Sequence, residues 1–170
     1  GGAIESLYVP SGSQSGLKLN QGFTILAGGN HDFMIDFDLR KSVNNPQGFA
    51  DYRLKPSLRL IDLTASGNLL GSVDSSLLTA EGCTGNTSTD DGFAVYVYSG
   101  GEGTVVDQEG SENPPLTSAS VSLNSESGQY EYTVGFLAPG EYTAVFTCQA
   151  GDDTAEAADD LVSFVLSDDS

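Results

Sequence analysis

The sequence predicts an all-β protein, and two features of its pattern support that prediction. Apolar and polar residues alternate with a period of two through most of the chain, whereas the 3.6-residue period of amphipathic helices is nearly absent. Turn-forming residues, chiefly Gly, Pro, Asn and Ser, separate the apolar runs at intervals of about 8 to 12 residues. We therefore expect an antiparallel β-sandwich in the C-terminal part of the chain and a smaller β-segment before it.

The charged residues divide the chain into two parts. All six basic residues precede residue 60, and residues 1–62 contain six acidic residues as well, so this part has no net charge. The other eighteen acidic residues lie in residues 63–170, which therefore carry the whole formal charge of −18. Such an abrupt change predicts two domains, residues 1–62 and residues 63–170. Because no basic residue follows Arg59, we expect neither nucleic acid nor an anionic membrane as a partner.

Two segments of the first part alternate clearly enough to predict neighbouring strands. Residues 33–39 (FMIDFDL) place four apolar side chains on one face and Asp36 and Asp38 on the other. Residues 50–62 (ADYRLKPSLRLID) also alternate, and Pro56 predicts an edge position or a bulge there because proline lacks an N–H. If the two strands are neighbours, the aspartates lie beside basic residues of the second strand, namely Arg53, Lys55 or Arg59.

The two cysteines predict one disulfide, between Cys83 and Cys148. Cys148 ends an alternating run, residues 141–148 (EYTAVFTC), and shares its face with apolar side chains, so we expect it to point inward. The bridge would close a loop of about 65 residues, worth roughly 3 to 4 kcal/mol in the chain-entropy model. The composition is typical of an extracellular or outer cell-surface protein, where disulfides persist; two unrelated buried thiols in a cytosolic protein are the alternative.

The sequence offers little for catalysis, and we expect a protein that is not an enzyme. His31, the single histidine, falls in the turn-like string GGNHDF, where an exposed side chain is the expected state. The chain lacks the GxSxG nucleophile motif, and a disulfide would occupy both cysteines. No apolar run is long enough to predict a membrane-spanning segment.

Four aspartates in acidic loops form the candidate metal site. Asp90 and Asp91 lie in the string TDDG, and Asp152 and Asp153 lie in the string GDDT. Loops at one end of a sandwich converge, and carboxylate oxygens suit Ca²⁺, so the two pairs could bind one calcium ion together. Neither pair has the EF-hand spacing, and a solvated acidic surface is the alternative. We expect no cofactor other than this calcium ion.

Tyr96 and Tyr98 are the candidate ligand-contact residues. They share one face of residues 94–100 (AVYVYSG), opposite Val95 and Val97, so one face should pack in the core and the other should face outward. An exposed tyrosine pair suits contact with a carbohydrate or a protein surface. The alternative is that both rings pack beneath a neighbouring loop.

Several strings of the sequence resemble one bacterial family. VPSGSQSGLKL, GFTILAGG, IDFDLRKSV and YRLKPSLRLID are similar to exported lipoproteins that share the domain of unknown function 4382. The later strings GSVD, VYVYSG and GQYEYTVGFLAPGEYTAVFTC are similar to the continuation of that family. The part from GSVD to APGEYTAVF also looks like a transthyretin-like or carboxypeptidase-regulatory sandwich, which implies an immunoglobulin-like layering of two sheets. Neither resemblance implies catalytic residues.

The resemblance also leads to a hypothesis about assembly. In that family the VPSG string lies in mid-domain, so residues 1–62 are expected to be a truncated domain with an open sheet edge. We expect a structural or adhesive surface protein that forms a filament or another assembly when its N-terminal segment adds a strand to a neighbouring copy. The strand-donor candidates are Ala3, Ile4, Leu7, Tyr8 and Val9.

Two other functions are compatible with the sequence. One is an extracellular module that binds a polysaccharide or a cell-surface protein through the tyrosine pair or through a calcium site. The other is an accessory sandwich cleaved from a larger exported enzyme. The expected partners are therefore copies of the chain itself, a cell-surface protein, or a polysaccharide.

Overall fold

The structure is a computed structural model that describes residues 4–10, 16–19, 22–25, 27–45, 48, 50–80, 83, 92–101, 114–151, 153 and 164–165. The described residues form twelve β-strands, one short α-helix and two 3-10 turns, which confirms the all-β prediction. They belong to two compact units, the first ending at Ser66 and the second beginning at Gly67. No helix in the described ranges is long and apolar enough to cross a membrane.

The first unit contains two small sheets. Its elements are β1 (Leu7–Tyr8), β2 (Phe33–Phe37), α1 (Leu39–Ser42), β3 (Val43–Asn44), β4 (Tyr52–Leu54), β5 (Leu58–Asp62) and a 3-10 turn (Leu63–Ala65). Strand β4 is the middle of one sheet, with β1 parallel to it on one side and β3 antiparallel to it on the other. Strands β2 and β5 form the second sheet as an antiparallel pair.

The β2–β5 pair contains an ion pair of the kind that the sequence predicts. Asp36 stands opposite Arg59 in the register, and the guanidinium of Arg59 donates to Asp36 Oδ2 from Nη2 (2.5 Å) and from Nε (3.0 Å). The prediction is confirmed for this pair of residues. Both side chains are partly exposed, so the contact contributes about 0.2–1 kcal/mol to stability.

Two strand boundaries differ from the sequence prediction. The first strand ends at Phe37, because the Asp38 side chain accepts a hydrogen bond from the backbone N–H of Lys41 (3.1 Å) and thereby caps α1. Residues 50–62 do not form one strand either. They divide around Pro56 into β4 and β5, which lie in different sheets, because proline cannot donate to a continuous ladder.

The buried side chain of Ser42 joins α1 to the segment between β4 and β5. Its hydroxyl donates to the carbonyl of Asp38 (2.5 Å) and accepts from the backbone N–H of Ser57 (2.8 Å). The carbonyl of Ser42 accepts from the N–H of Lys55 (2.7 Å). These bonds satisfy backbone groups at the place where the chain leaves one sheet and enters the other.

The described part of the first unit buries little apolar surface. Within its described part, Ile61 is the one large apolar side chain that is buried, whereas Ile35 and Leu39, which the alternation placed on a half-buried face, are mostly exposed. Ten of the twelve exposed large apolar side chains of the described residues belong to this unit: Ile4, Leu7, Tyr8, Val9, Leu17, Phe23, Ile25, Ile35, Leu39 and Tyr52.

The second unit is a two-sheet sandwich. Its elements are β6 (Gly67–Val73), a 3-10 turn (Leu77–Thr79), β7 (Ala94–Ser99), β8 (Thr117–Ser120), β9 (Ser122–Leu123), β10 (Tyr130–Leu137), β11 (Tyr142–Thr147) and β12 (Phe164–Val165). One sheet has the order β6-β10-β9 and the other has the order β12-β11-β7-β8. All the pairings within both sheets are antiparallel.

The core of the sandwich lies between the two sheets and includes the disulfide. Cys83 and Cys148 are joined, with their Cα atoms 5.5 Å apart, which is the pairing expected from the sequence. The other buried members of this cluster come from both sheets and the segments that join them: Val73, Leu78, Phe93, Val95, Val97, Val121, Val134, Leu137 and Phe146. The inward-facing residues of β10 and β11 therefore meet as sandwich packing requires.

Strand β10 contains an irregularity near its end. The register with β6 shifts between Val134 and Leu137, and Phe136 has a φ of 60°, in the left-handed region that bulky residues rarely adopt. Asn68 of β6 compensates for the interrupted ladder, because its Oδ1 accepts from the backbone N–H of Phe136 (3.2 Å). The bulge therefore leaves no orphaned donor at this position.

Candidate functional site

The prediction that Tyr96 and Tyr98 form an exposed ligand-contact pair is wrong. Their exposed fractions are 0% and 1%. Strand β7 lies between β11 and β8, and both of its faces are covered: Val95 and Val97 belong to the core between the sheets, while the tyrosines pack with Val145 in a second buried cluster. The hydroxyl of Tyr96 also donates to a side-chain oxygen of Asp153. A ligand has no access to these rings.

The candidate calcium site falls mostly outside the described residues. Asp90, Asp91 and Asp152 lie there, and Asp153 is engaged by the hydroxyl of Tyr96. The described residues contain no group of three or more His, Cys, Asp or Glu side chains that could hold a metal ion. Calcium binding by these loops therefore stays a prediction.

The strand-donor segment forms an edge strand of its own sheet, and its pairing with a neighbouring copy stays a prediction. Leu7 and Tyr8 pair with β4, and the N–H of Tyr52 donates to the carbonyl of Ser6 (3.0 Å). Ala3 lies outside the described residues. In the described part of the chain, the side of β1 that faces away from β4 has no strand partner. The remaining candidates, Ile4 and Val9, flank β1 and are exposed.

His31 is more enclosed than its turn-like context predicts. Its Nδ1 lies 3.3 Å from Asp62 Oδ2, and its ring stacks on Phe33 with ring centroids 6.0 Å apart. The pKa of Asp62 is lowered, chiefly because the side chain and the backbone N–H of Thr64 donate to its carboxylate, with the contact to His31 as a smaller cause. The contact between His31 and Asp62 therefore holds the last residue of β5 in place.

A groove in the second unit is the best candidate for a binding site among the described residues. Its volume is about 640 Å³, within the range of small-molecule sites. It lies between the two sheets. Strand β10 contributes Tyr130 and Tyr132 to its lining, and β11 contributes residues 143–146. The segment that follows β6 contributes Asp74 and Leu77, and we call this site the tyrosine groove.

Two small residues shape the tyrosine groove, Gly71 by accommodating the ring of Tyr132 and Ala144 by leaving space in the opposite wall. Gly71 pairs with Tyr132 across the β6–β10 ladder, and the tyrosine ring lies so close that an added Cβ at residue 71 would be 2.5 Å from its Cζ atom. On the opposite wall Ala144 carries only a methyl group, in a row that otherwise contains Tyr142 and Phe146. A larger side chain at residue 144 would therefore narrow the groove.

The chemistry of the tyrosine groove is aromatic and acidic. Asp74 lies on its rim, and its pKa is lowered, first by the backbone N–H of Ser76, which donates to Oδ1 (2.8 Å). Burial raises the pKa of Tyr132, so its hydroxyl stays protonated at neutral pH. Neither Tyr130 nor Tyr132 uses its hydroxyl in a hydrogen bond to another described residue. Both hydroxyls are thus available to a ligand.

The turn between β9 and β10 holds one end of the groove in place. Gly128 and Gln129 line the groove within this turn, which is closed by the N–H of Asn124 donating to the carbonyl of Gln129 (2.8 Å). Glu131 accepts from Asn124 Nδ2 (2.8 Å) and from Ser127 Oγ (2.6 Å). These hydrogen bonds lower the pKa of Glu131, with the bond from Asn124 as the largest cause.

The sequence contained a signal that distinguishes the two tyrosine pairs. Around Tyr96 and Tyr98 the alternate residues are valines, so both faces of the strand are apolar and both become buried. Around Tyr130 and Tyr132 the alternate positions are polar, including Glu131, so one face is solvated and the tyrosines lie toward the half-open space between the sheets.

Comparison with known proteins assigns a family match to the first unit only. Residues 3–56 match the family described as Domain of unknown function (DUF4382). This match spans β1 to β4 and stops before β5. No curated protein and no solved structure gives a significant match. The description of the family names no activity, so the function must be argued from the described residues.

Proposed function

We propose that this chain is a non-catalytic structural or adhesive protein of the extracellular space or outer cell surface, and that its copies associate through the first unit. The exposed apolar surface of that unit is the observation that supports the proposal. Ten of the twelve exposed large apolar side chains in the described residues lie there, including Ile4, which is 99% exposed. Exposed apolar side chains concentrated in one unit favour association with another protein.

Charge favours a second copy of the same chain as the partner. Residues 63–170 carry the whole formal charge of −18, so the sandwiches of two copies repel each other. Residues 1–62 have no net charge, so two first units can approach without that cost. At physiological ionic strength the Debye length is about 8 Å, so the repulsion between sandwiches acts only over short distances.

The edge of β1 supplies the backbone groups for such a contact. Its side that faces away from β4 has no strand partner among the described residues, and Leu7 and Tyr8 are about half exposed. An unpaired edge is a template for an added strand. Our proposal is therefore that β1 extends its sheet into the neighbouring copy, where it adds main-chain hydrogen bonds to apolar burial.

The experiment that tests this proposal measures the mass of the full chain in solution. Sedimentation equilibrium of the wild-type protein should show a concentration-dependent mass above 17.7 kDa. Leu7→Lys places a charge on the edge strand and should shift the protein toward the monomer. The matched control is Leu123→Lys, at an exposed leucine of the second unit, which should leave the mass unchanged. A wild-type protein that stays monomeric up to millimolar concentration would overturn the proposal.

The tyrosine groove favours a second candidate function, an extracellular binding module for a carbohydrate or a protein. Its volume and its two available hydroxyls support this candidate. A glycan array probed with and without a calcium chelator tests it, and the calcium-dependent form also predicts that calcium raises the melting temperature. No binding and no calcium effect would leave assembly as the better proposal.

The proposal also covers the origin of the chain and the fold of its second unit. We infer that the chain comes from an exported lipoprotein and that its second unit is a transthyretin-like sandwich. The exposed apolar first unit, the disulfide and the two antiparallel sheets support these inferences. Mass spectrometry of the protein from its natural source tests the first, because an exported lipoprotein carries a lipidated, processed N-terminus.

A further inference from the structure

We propose that the tyrosine groove of the second unit binds an organic cation, an ammonium or guanidinium group carried on an apolar stem. This inference rests on the second candidate function, because it names the ligand of the same groove. The chemistry is shared by small free cations and by the side chains of lysine and arginine in a peptide. The groove therefore has one expected ligand chemistry and two sources that an experiment can separate.

The walls of the tyrosine groove suit the apolar stem. Tyr130 and Tyr132 lie two residues apart on the same face of β10, and both pack against the core between the sheets. Ala144 and Phe146 line the opposite wall. A volume of about 640 Å³ accepts an extended side chain with room for water. The stem would thus lie between aromatic rings and aliphatic groups of the two sheets.

The charges around the groove favour a cation. Asp74 lies on the rim with an ionised carboxylate. In its unit, every side chain that carries a charge at neutral pH is acidic. Because no lysine or arginine follows Arg59, the second unit has no basic side chain of its own that could pair with Asp74. A ligand cation would supply the missing positive charge, whereas an anionic ligand would be repelled by the field of the whole unit.

The two tyrosines add a second interaction with a cation. The face of a tyrosine ring attracts an ammonium or guanidinium group within about 6 Å of the ring centroid. Their phenolic oxygens can also accept hydrogen bonds from N–H donors, and neither hydroxyl is used by another described residue. A neutral sugar would use the rings and hydroxyls and could donate a hydroxyl to Asp74, but it would gain nothing from the negative field of the whole unit. The cation is therefore the ligand that uses every feature of the groove.

The test uses the full chain and two cationic probes with neutral counterparts. The first probe is N-acetylarginine N-methylamide, and its neutral counterpart is the citrulline derivative. The second is the capped pentapeptide Thr-Val-Arg-Val-Thr, again with a citrulline version. Isothermal titration calorimetry should show saturable binding of the arginine probes with one site per chain and weaker binding of the citrulline probes. Equal affinity of both arginine probes indicates a small free cation, and much tighter binding of the peptide indicates a protein side chain.

Three variants assign the binding to the groove. Asp74→Asn keeps the acceptor for the Ser76 N–H but removes the charge, and it should weaken arginine binding by about three- to fivefold. Glu141→Gln removes one charge from the same unit at an exposed residue that does not line the groove, and it should leave the affinity unchanged. Ala144→Phe should narrow the groove and weaken binding.

Each possible result of these measurements either supports or overturns the proposal. Binding that Asp74→Asn weakens and Glu141→Gln does not would support the proposal, even if Ala144→Phe fails to fold. Equal weakening by Asp74→Asn and Glu141→Gln would show a diffuse charge effect and overturn it. Equal binding of arginine and citrulline probes, or no saturable binding, would overturn it as well. None of these results depends on self-association, which the mass measurement tests separately.

Discussion

Loss of the Cys83–Cys148 disulfide should destabilise the second unit by about 4 kcal/mol. The two cysteines are 65 residues apart in the sequence. In the chain-entropy model, a loop of that length removes about 14 cal/mol/K from the entropy of the unfolded chain, which gives about 4 kcal/mol at 25 °C. Small domains have a total stability of about 5–15 kcal/mol, so the bridge accounts for a large share of it.

The burial of the two sulfur atoms decides which perturbation isolates this effect. Cys83 and Cys148 are both buried in the core between the sheets. Replacement of both by alanine would remove the cross-link and leave a cavity, so its cost would exceed the entropic term. Reduction of the wild-type protein keeps both sulfur atoms in place. The difference between oxidised and reduced wild type is therefore the better measure of the cross-link.

The assay is urea unfolding, followed by far-UV circular dichroism and by the fluorescence of the seven tyrosines, since the chain has no tryptophan. With a slope of about 2 kcal/mol/M, a loss of 4 kcal/mol lowers the midpoint by about 2 M. The Cys83→Ala/Cys148→Ala variant is the control, because a reductant should not change its midpoint. A wild-type midpoint that is the same with and without reductant would refute the entropic reasoning.

Three further predictions concern single contacts. Gly71→Ala should cost about 1–3 kcal/mol in urea unfolding, because its Cβ would lie 2.5 Å from the Cζ atom of the covering tyrosine ring, whereas Gly67→Ala, which meets no atom within 4 Å, should be nearly neutral. A double-mutant cycle on Asp36 and Arg59 should give a coupling of about 0.5–1 kcal/mol, which high salt reduces. Glu131→Gln should reduce the fall in melting temperature as the pH drops below 4.5. The hydrogen bonds that lower the pKa of Glu131 stabilise its ionised carboxylate in the folded state, and this stabilisation disappears as the carboxylate is protonated.

Alternation predicted the strands well and their partners only in part. It identified β2 and β5, and it placed Asp36 beside a basic residue because charge on two outer faces restricts the register. It did not show that Asp38 leaves the strand, because the same aspartate fits a strand face and a helix cap. The role of Ser42 was also hidden, since a serine in a polar stretch gives no sign that its hydroxyl will be buried.

The candidate site was harder to predict than the fold because it depends on small side chains as much as on large ones. Ala144 lines the tyrosine groove with only a methyl group, and Gly71 accommodates the ring of Tyr132, which lines the groove. Small residues carry no alternation signal of their own. Their effect appears only when the register places Gly71 opposite Tyr132, and a single sequence does not specify that register beyond a hydrophobic pattern.

The second unit stabilises its carboxylates without any basic side chain, as the distribution of basic residues requires. In the first unit Asp36 pairs with Arg59, an interaction that salt screens. In the second unit, which has no lysine or arginine, Asp74 and Glu131 have lowered pKa values because neutral backbone and side-chain donors bind them. Salt does not remove those hydrogen bonds, but it does weaken the repulsion among the acidic side chains. The sandwich should therefore become more stable as ionic strength rises, and its stability rests on apolar packing, neutral hydrogen bonds and the disulfide.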